Sequence, residues 1–381
     1  MILRDRRRIG IVGAGPGGLT LARILHLHGI HASVFEREEH SSVRTQGRSL
    51  DMHAESGQFA IRCAGLTAEF KSIARYQDQE VRIYDKYGNL LFEDTSNEGD
   101  RPEVDRTQLR RMLLHSLPEG VTRWRHKLLA AKPRDDGGFQ LALENGVTET
   151  FDLVVGADGA WSRIRPLVSE ARPIYSGVLF VEFHFDDVDT KYPQIATLVG
   201  HGMMFAIGDS KAMIGHRNAE AHVSIGVGLR VPEDWVVEGG LDMSSVEAAR
   251  NSLAANFHGW SENLLQVIHQ CDGRLRLWPI NALPIGHKWE HRPGITLLGD
   301  AAHLMSPFSG EGANLAMLDA ADLALELASA GRDWDAAIQR FELKMFARAA
   351  IAAVGAKDGI DQTFSENGLS LALQQMEGHR A

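Results

Sequence analysis

Closely spaced glycines between a short apolar strand and an apolar helix constrain the fold of this chain more than any other feature. Residues 9–12 read IGIV, typical of a buried strand, and GAGPGG follows, in which Gly13, Gly15 and Gly18 have GxGxxG spacing. Next come LTLARILHLHGI, apolar at helical spacing, and a second strand-like run, HASVFE, that ends in Glu36. This order predicts a βαβ unit that binds a dinucleotide.

Each part of this motif has a physical purpose. Gly13 permits the tight turn, Gly15 lets the backbone approach a pyrophosphate, and Gly18 lets the helix pack closely. Glu36 offers a carboxylate to ribose hydroxyls and disfavours a ribose 2′-phosphate, so FAD or NAD is expected here rather than NADP. A purely structural glycine turn is the alternative.

Composition narrows the functional class. The 381 residues carry a formal net charge of -10 and are 44% hydrophobic and 24% charged, which indicates a soluble globular protein and gives no case for a nucleic-acid partner. The sequence has neither a run of about 18 apolar residues nor an N-terminal signal pattern, so no membrane partner is expected. Cys63 and Cys271 lack metal-ligand spacing, so no metal is expected. The low cysteine content also predicts a reducing, cytoplasmic setting.

Two further strand-to-turn elements follow along the chain. In DLVVGADGAWSRIR an apolar run leads to Asp158, and in ITLLGDAAHLMSPFSGEGANLAMLDAADLA another leads to Asp300. Ligands bind at the carboxyl ends of strands in open α/β sheets, and a helix N-terminus offers N–H groups to an anion or a polarised carbonyl. The second of these elements is therefore predicted to form one wall of a cofactor site.

These three elements, in this order, resemble the class A single-component FAD-dependent monooxygenases of the para-hydroxybenzoate hydroxylase type. Within this class, the chain looks most like the tetracycline-inactivating TetX-type flavin monooxygenases. Four stretches carry this likeness: GRSLDMHAESGQ, VDRTQLRRMLLHSL, GDAAHLMSPFSGEG and VPEDW. The resemblance implies an α/β fold: a Rossmann-like, GR2-type FAD-binding domain with an inserted β-sheet substrate domain and a C-terminal bridging helix. The expected boundaries are 1–172 and 275–330 for the discontinuous FAD-binding domain, 173–274 for the substrate domain, and 331–381 for the C-terminal helix.

The resemblance also assigns cofactor residues. It implies that the adenosine end contacts Glu36 and Arg37, that Arg106 and Arg110 contact FAD, and that Asp51 lies on the flavin side. Asp158 would serve both FAD and the pyridine nucleotide, and Arg44 would contact the nicotinamide. Asp300 would bind the ribityl chain and Pro307 would lie beside the isoalloxazine, while backbone N–H groups meet the pyrimidine edge at Gly310, Gly312, Ala313 and Asn314.

Several of these residues also have a purely structural interpretation. Arg106 and Arg110 are four residues apart and would suit a helix surface, and Asp300 would suit a simple helix cap. His303 is interpreted as a structural histidine, and no protein residue is assigned a catalytic role.

The middle of the chain predicts a sheet above the flavin. VLFVEFHF and HVSIGVGLRV alternate with period two, so that Val223, Ile225, Val227 and Leu229 share one face and smaller residues the other. The substrate candidates are Glu182, His184, Met203, Phe205 and Ser224, with Met204 as a further possibility. Loose packing of the small face, and a core role for the methionine and aromatic residues, are the alternatives.

The implied reaction uses FAD, NADPH or NADH as co-substrate, and O₂ to hydroxylate an aromatic or polycyclic, tetracycline-like small molecule through a flavin C4a-hydroperoxide. The resemblance favours NADPH, and a monomer is expected. Glu182, Met203 and Ser224 replace a polar set of the tetracycline-inactivating enzymes, which argues against tetracycline itself. A flavin-dependent reductase or oxidase is the alternative function, and residues 365–381 suit either a gate at the substrate entrance or a frayed tail.

Overall fold

The computed structural model describes residues 7–41, 49–76, 79–96, 100–271, 273 and 275–380. Its strands are β1 (Ile9–Val12), β2 (Ala32–Phe35), β3 (Ser49–Asp51), β4 (Val81–Asp85), β5 (Leu90–Asp94), β6 (Glu103–Asp105), β7 (Thr122–Arg123), β8 (Leu128–Pro133), β9 (Phe139–Leu143), β10 (Thr148–Phe151), β11 (Leu153–Gly156), β12 (Ile174–Phe185), β13 (Met203–Gly208), β14 (Lys211–Arg217), β15 (Val223–Arg230), β16 (Arg276–Ala282) and β17 (Ile295–Leu297).

The helices are α1 (Pro16–Leu27), α2 (Gly57–Cys63), α3 (Thr67–Ile73), α4 (Arg106–His115), α5 (Val188–Lys191), α6 (Pro193–Val199), α7 (Val246–Ala255), α8 (Glu262–His269), α9 (Asp300–His303), α10 (Gly312–Ser329), α11 (Trp334–Thr363) and α12 (Gly368–Arg380). Short 3₁₀ turns cover Arg165–Leu167 and Pro307–Ser309.

A parallel sheet carries the three predicted strand-to-turn elements. Its strand order is β17, β11, β1, β2, β7, and every pairing is parallel. The strands β1 and β11 are buried along their whole length, as expected for inner strands of a parallel sheet that is covered on both faces. The antiparallel sheet of β10, β9 and β8 contributes Phe151, which lies against Gly10 of β1. The strands that begin the three elements, β1, β11 and β17, are neighbours in this sheet, so their carboxyl ends lie at one edge. The predicted α/β class is confirmed.

A mixed sheet lies above this edge. Its strand order is β16, β12, β15, β14, β13, β4, β5, with only the β13 and β4 pair parallel. The face that carries Val223, Ile225, Val227 and Leu229 packs in one apolar cluster with residues of α6, α7 and α8. The opposite face, which carries Phe180, Ala212 and Ile214, packs against Phe308 and the C-terminal helices. This second face is called the inner face below.

The mixed sheet extends beyond residues 173–274, to which the sequence confined it. The strands β4 and β5 precede that range, and β16 follows it. Strand β4 pairs with β13, more than a hundred residues away, and β16 pairs with β12. Such pairings are fixed by tertiary packing, which a local period-two pattern does not reveal.

The C-terminal region holds two helices rather than one. Helix α11 spans 30 residues, or about 45 Å at 1.5 Å per residue, and packs against α10. It ends at Phe364, whose ring lies 5.8 Å from those of Phe180 and Phe308. Residues 368–380 form α12, in which Leu369 and Ala372 pack on the inner-face cluster, so this segment is an ordered helix rather than a frayed tail.

Within the described ranges, no helix is both long enough and apolar enough to cross a membrane. The same residues contain no group of histidine, cysteine or acidic side chains arranged to hold a metal ion.

Candidate functional site

The three strand-to-turn elements are in direct contact at the edge of the parallel sheet. Gly13 has φ +108°, and a Cβ placed on it would lie 2.3 Å from the carbonyl oxygen of Ala157, next to Asp158. A Cβ on Gly17 would lie 2.8 Å from the carbonyl oxygen of Ala316 in α10. The glycines therefore let α1 and its turn approach the two other elements as closely as backbone atoms allow.

The glycines of the fingerprint differ in how closely other atoms approach them. A Cβ on Gly18 would lie 2.1 Å from the carbonyl oxygen of Gly13, so helix and turn meet without room for a side chain. By contrast, a Cβ on Gly15 would meet no described atom within 4 Å, and Gly15 immediately precedes α1. Open space beside a helix N-terminus fits the approach of a pyrophosphate.

Glu36 is buried beside the glycine turn. Its Oε2 accepts a hydrogen bond of 2.9 Å from the Ala14 amide, and its Oε1 accepts one of 3.1 Å from the Glu38 amide. Each carboxylate oxygen keeps a further acceptor position, so Glu36 can also meet a ribose hydroxyl. This geometry fits the adenosine role predicted for it.

Arg110 is a buried residue, and the surface interpretation of it is therefore wrong. Its side chain is 3% exposed, its Nε donates to the Ala14 carbonyl at 2.9 Å, and its Nη1 contacts Glu38 Oε2 at 2.7 Å. Its Nη2 lies 3.7 Å from Glu36 Oε2. Arg110 thus holds the glycine turn and both acids together, a scaffold role that the motif alone did not indicate.

The other basic residues predicted at this end differ in setting. Arg37 is exposed, next to Glu36. Arg106 is half-buried at the start of α4, where Asp105 caps the helix by accepting from the amides of Thr107 and Gln108. Arg44 lies outside the described residues.

Asp158 is fixed within its own turn. Its carboxylate accepts from Ser162 Oγ at 2.6 Å and from the Arg163 amide at 2.7 Å. Burial raises the pKa of Asp158, and these hydrogen bonds offset the rise only in part. Arg165 follows, and it donates through Nε to the Ala301 carbonyl at 2.7 Å and through Nη2 to the Asp300 carbonyl at 3.2 Å. Arg165 therefore fixes the backbone that carries Asp300.

Asp300 is half-buried and is the first residue of the four-residue helix α9, after Gly299. The N-cap position of α9 is occupied by Gly299 and not by Asp300, so the helix-cap interpretation of Asp300 is not supported. The Asp300 carboxylate lies 4.0 Å from the position that a Cβ on Gly312 would take, at the start of α10. A carboxylate in this place can accept hydrogen bonds from a polyol chain laid across the edge of the sheet.

His303 is a structural residue, as the sequence analysis interprets it. Its Nε2 lies 2.6 Å from Asp319 Oδ2, and both side chains are buried. Asp319 also accepts from the Gly299 amide at 3.0 Å and contacts Arg348 Nη2 at 2.8 Å. Attraction to Asp319 raises the pKa of His303 despite its burial, so the pair is ionic and ties α9 to α10 and α11.

The loop from Pro307 to Asn314 leads into the N-terminus of α10. Gly310 has φ +68°, a left-handed conformation that glycine adopts without strain, and α10 begins at Gly312. The Glu311 side chain does not cap this helix, so the first amides, including those of Gly312 and Ala313, remain open to a ligand. The N-terminal end of an 18-residue helix stabilises negative charge placed against it.

Asn314 has a role in the scaffold that the sequence did not indicate. It is 1% exposed; its Oδ1 accepts from the His53 amide at 3.0 Å, and its Nδ2 donates to the Asp51 carbonyl at 2.8 Å. Asn314 thereby joins β3 to α10. Through it, Asp51 lies beside the predicted flavin loop, as the resemblance implies, although the assignment of both residues to the cofactor remains a prediction.

His53 is the residue near this loop that sequence reasoning overlooked. Its imidazole lies between two carboxylates, 2.8 Å from Asp51 Oδ2 and 3.4 Å from Glu311 Oε1. The available signal was its position in LDMHAESGQ, two residues after a predicted flavin residue.

All five substrate candidates lie on the inner face of the mixed sheet. Cross-strand partners share a face, and the register pairs Glu182 with Gly226, His184 with Ser224, and Ser224 with His216. Met203 pairs with His216, and Phe205 with Ile214. The structure thus brings the five together, although their contact with a substrate remains a prediction.

Two details of this face differ from the sequence interpretation. Met204 lies on the opposite face, within the cluster of α6, α7 and α8, because successive residues of a strand alternate in direction. The small-residue face is also not open throughout, since a Cβ on Gly228 would lie 2.7 Å from Phe364 Cζ. Close packing of Phe364 explains the glycine there.

A polar row leads from this face to the surface. The exposed Asp186 contacts His222 Nδ1 at 2.7 Å, His222 Nε2 lies 3.2 Å from His184 Nδ1, and His184 Nε2 lies 3.5 Å from Glu182 Oε2. The two imidazoles are stacked with their centroids 5.3 Å apart. Glu182 is 3% exposed and lies 3.9 Å from Arg276 Nη1.

The fold and these contacts define a dinucleotide-binding α/β protein with a second sheet above the carboxyl edge of the first. A family model described as an FAD binding domain matches residues 6–338. The chain therefore belongs to this FAD-binding family. Relatives matched along more than four fifths of the chain are named monooxygenases, so it is an FAD-dependent monooxygenase. The open space at Gly15, the buried Glu36 and the uncapped start of α10 fit the phosphate, ribose and isoalloxazine needs of FAD.

A monooxygenase named asqM from Emericella nidulans is 33% identical over 377 residues, which cover 86% of this chain and 85% of that protein. Among solved structures, Klebsiella pneumoniae HpxO with FAD and uric acid is similar with a TM-score of 0.81 and 21% identity, covering 98% of this chain and 93% of that one. The tetracycline destructase Tet(51) has a TM-score of 0.72 and 20% identity, covering 98% and 95%. At these identities the structures establish the fold and leave the special likeness to tetracycline-inactivating enzymes as a hypothesis.

Proposed function

We propose that this chain uses NADPH or NADH together with O₂ to hydroxylate an aromatic or fused-ring small molecule. The observation that carries the proposal is the contact between the predicted flavin loop and the inner face. The ring of Phe308, in the turn Pro307–Ser309, lies 6.2 Å from that of Phe180 on β12. A substrate that lies on the inner face beside this contact is therefore next to the loop predicted to hold the isoalloxazine.

FAD, when bound, supplies hydride acceptance from the nicotinamide and activation of O₂. The chain supplies the surroundings. Arg110 and Glu36 fix the turn that would hold the adenosine end. Asp300 would accept hydrogen bonds from the ribityl chain, and the start of α10 would favour negative charge at the isoalloxazine. The mixed sheet and its helices exclude water from the reacting carbon.

The inner face suits a flat substrate with a few polar groups. Met203 and Phe205 supply apolar contact area, while Glu182, His184 and Ser224 supply polar atoms along one side. Of the similar structures, HpxO is in complex with uric acid and Tet(51) is named a tetracycline destructase, and both names denote fused-ring compounds. A tetracycline-like molecule is thus one member of the substrate class to be tested, with O₂ as the second substrate.

The test follows NADPH and NADH oxidation by the purified, FAD-loaded protein. The panel contains phenols, quinolones, tetracyclines and uric acid, and each product is weighed by mass spectrometry. The expected result is oxidation that a substrate stimulates, with a product that has gained one oxygen atom. Flavin reduction by either nucleotide with no oxygen gain across the panel would instead favour the reductase or oxidase alternative.

A matched variant locates the substrate. Glu182→Gln removes the charge of a buried inner-face carboxylate, whereas Glu220→Gln changes an exposed carboxylate in the turn between β14 and β15. We expect the first to raise KM for the accepted substrate and the second to leave it unchanged. Equal KM values for both would place the substrate elsewhere.

A further inference from the structure

The cluster around His53 joins two segments that are far apart in the sequence. His53 follows β3, and Glu311 precedes α10, about 260 residues later. The His53 side chain is 2% exposed, with Nε2 2.8 Å from Asp51 Oδ2 and Nδ1 3.4 Å from Glu311 Oε1. The buried imidazole therefore lies within ion-pair distance of two carboxylates, which are themselves 38% and 31% exposed.

This arrangement favours a protonated imidazole. Nε2 is hydrogen-bonded to Asp51, and Nδ1, which makes no hydrogen bond of good geometry within the described residues, lies within ion-pair distance of the Glu311 carboxylate. The two carboxylates raise the pKa of His53 to about 9, with Asp51 the larger cause, and burial opposes this only in part. Of the other described acids nearby, Glu55 is exposed and Asp300 lies across the loop, beside Gly312.

The same two segments are also joined by the Asn314 side chain. Asn314 accepts from the His53 amide and donates to the Asp51 carbonyl, so β3 and the first turn of α10 are held in register. Between them, Gly310 turns the chain with φ +68°, and a Cβ placed on it would lie 3.5 Å from Asp51 Oδ1. The cluster of His53, Asp51 and Glu311 therefore lies against the loop at the residue where the chain turns.

We propose that His53 is a positioning residue which, as imidazolium between Asp51 and Glu311, holds the loop Gly310–Asn314 in its flavin-binding conformation. This rests on the proposed function, in which that loop meets the isoalloxazine. Asn314 fixes the backbone of the loop, and His53 compensates the two carboxylates that would otherwise repel each other beside it. Loss of the proton turns an attractive cluster into a repulsive one.

The direction of the pH effect follows from the raised pKa. The folded value lies above the ordinary value of 6.5, so the stabilisation is fully present below about pH 6.5 and is lost as the pH rises through about 9. FAD binding should therefore weaken on the alkaline side. A variant without the imidazole should not show this weakening.

The experiment titrates apo-protein with FAD and follows flavin fluorescence from pH 6 to 10. The variants are His53→Gln and Glu311→Gln, and Glu55→Gln is the matched control, because it removes an exposed carboxylate two residues from His53. For wild type and the control, we expect the Kd for FAD to rise as the pH passes 9. For His53→Gln, we expect a Kd about tenfold higher at pH 7 and a flat profile up to pH 9, whereas Glu311→Gln should lose affinity at a lower pH than wild type.

The midpoint potential of the bound flavin is the second readout, and we expect it to shift in His53→Gln and not in Glu55→Gln. A folded His53→Gln protein with a Kd within twofold of wild type and the wild-type pH profile would overturn the proposal. If His53→Gln fails to fold, Glu311→Gln decides, because an unchanged Kd and profile in that variant overturn the proposal equally. A wild type that shows the expected profile yet oxygenates no substrate would contradict the proposed function and leave the role of His53 intact.

Discussion

Arg110 and Glu36 hold the glycine turn through individual hydrogen bonds to its backbone. Arg110 donates to the carbonyl of Ala14 and Glu36 accepts from the amide of the same residue, so both backbone polar groups of one residue in the glycine turn are held by charged side chains. Charge-assisted hydrogen bonds of this kind are the stronger ones in proteins. The conformation of the turn is therefore fixed by bonds within the chain itself.

Replacing Glu36 tests this arrangement. In Glu36→Ala the Ala14 amide and the buried guanidinium lose an acceptor, so we expect the Kd for FAD to rise about tenfold or more, in line with the ~1.5–3 kcal/mol of a hydrogen bond to a charged group. Equilibrium titration of the apo-protein measures it. Glu39→Ala, at an exposed acid three residues on, is the control, and equal Kd values for the two variants would contradict the fingerprint assignment.

Asp300→Ala should weaken flavin retention. The substitution removes the carboxylate that is expected to accept from the ribityl hydroxyls, while the backbone of α9 stays fixed by Arg165. The ratio of flavin to protein absorbance after gel filtration measures retention. Asp335→Ala, at an exposed acid of α11, should keep the wild-type ratio, and an Asp300→Ala protein that purifies fully yellow would refute the assignment.

Among the elements, the C-terminal end of α11 packs closely against the inner face. Phe364 is buried against Phe180, Phe308 and the bare backbone of Gly228. Helix α12 begins four residues later and packs on the same cluster. Packing at this one ring therefore connects the C-terminal helices, the predicted flavin loop and the substrate sheet.

Phe364→Ala should destabilise the protein by about 3–5 kcal/mol, the usual effect of truncating a buried phenylalanine. Denaturant unfolding measures the loss, and limited proteolysis should detect release of α12. Leu343→Ala on the exposed side of α11 serves as the control and should change stability little. Equal stability for the two variants would show that Phe364 does not anchor the helix.

The elements that sequence predicted well are those with local signals. The strand, glycine turn and helix of the fingerprint occupy neighbouring residues, so their pattern could be recognised without knowledge of tertiary contacts. The alternating faces of β15 were likewise predictable, and the structure confirms them. Strands β4, β5 and β16 were missed because their place in the mixed sheet depends on partners distant in the chain.

The same reasoning explains which site residues were found. Glu36 and Asp300 follow strands at predictable distances, whereas the roles of His53 and Asn314 depend on a contact between β3 and α10. Arg110 was singled out by resemblance, but its burial between two acids required the packing of α4 on α1. Chemistry that depends on long-range contact is not encoded in local spacing.

At the scale of the whole molecule, the two sheets have separate tasks. The parallel sheet presents three turns that fit FAD, and the mixed sheet presents a face with aromatic, methionine and polar side chains above them. Phe308 is where the two parts meet. The residues that fit the cofactor and the residues that are substrate candidates therefore lie on different sheets.

Isotope labelling determines whether the oxygen inserted into the substrate comes from O₂. The FAD-loaded protein is incubated with NADPH and an accepted aromatic or fused-ring substrate under isotopically labelled O₂, with labelled water in unlabelled O₂ as the reciprocal experiment. We expect one labelled oxygen atom in the product from O₂ and none from water. A product that takes its oxygen from water, or substrate turnover that proceeds equally well without O₂, would contradict this expectation.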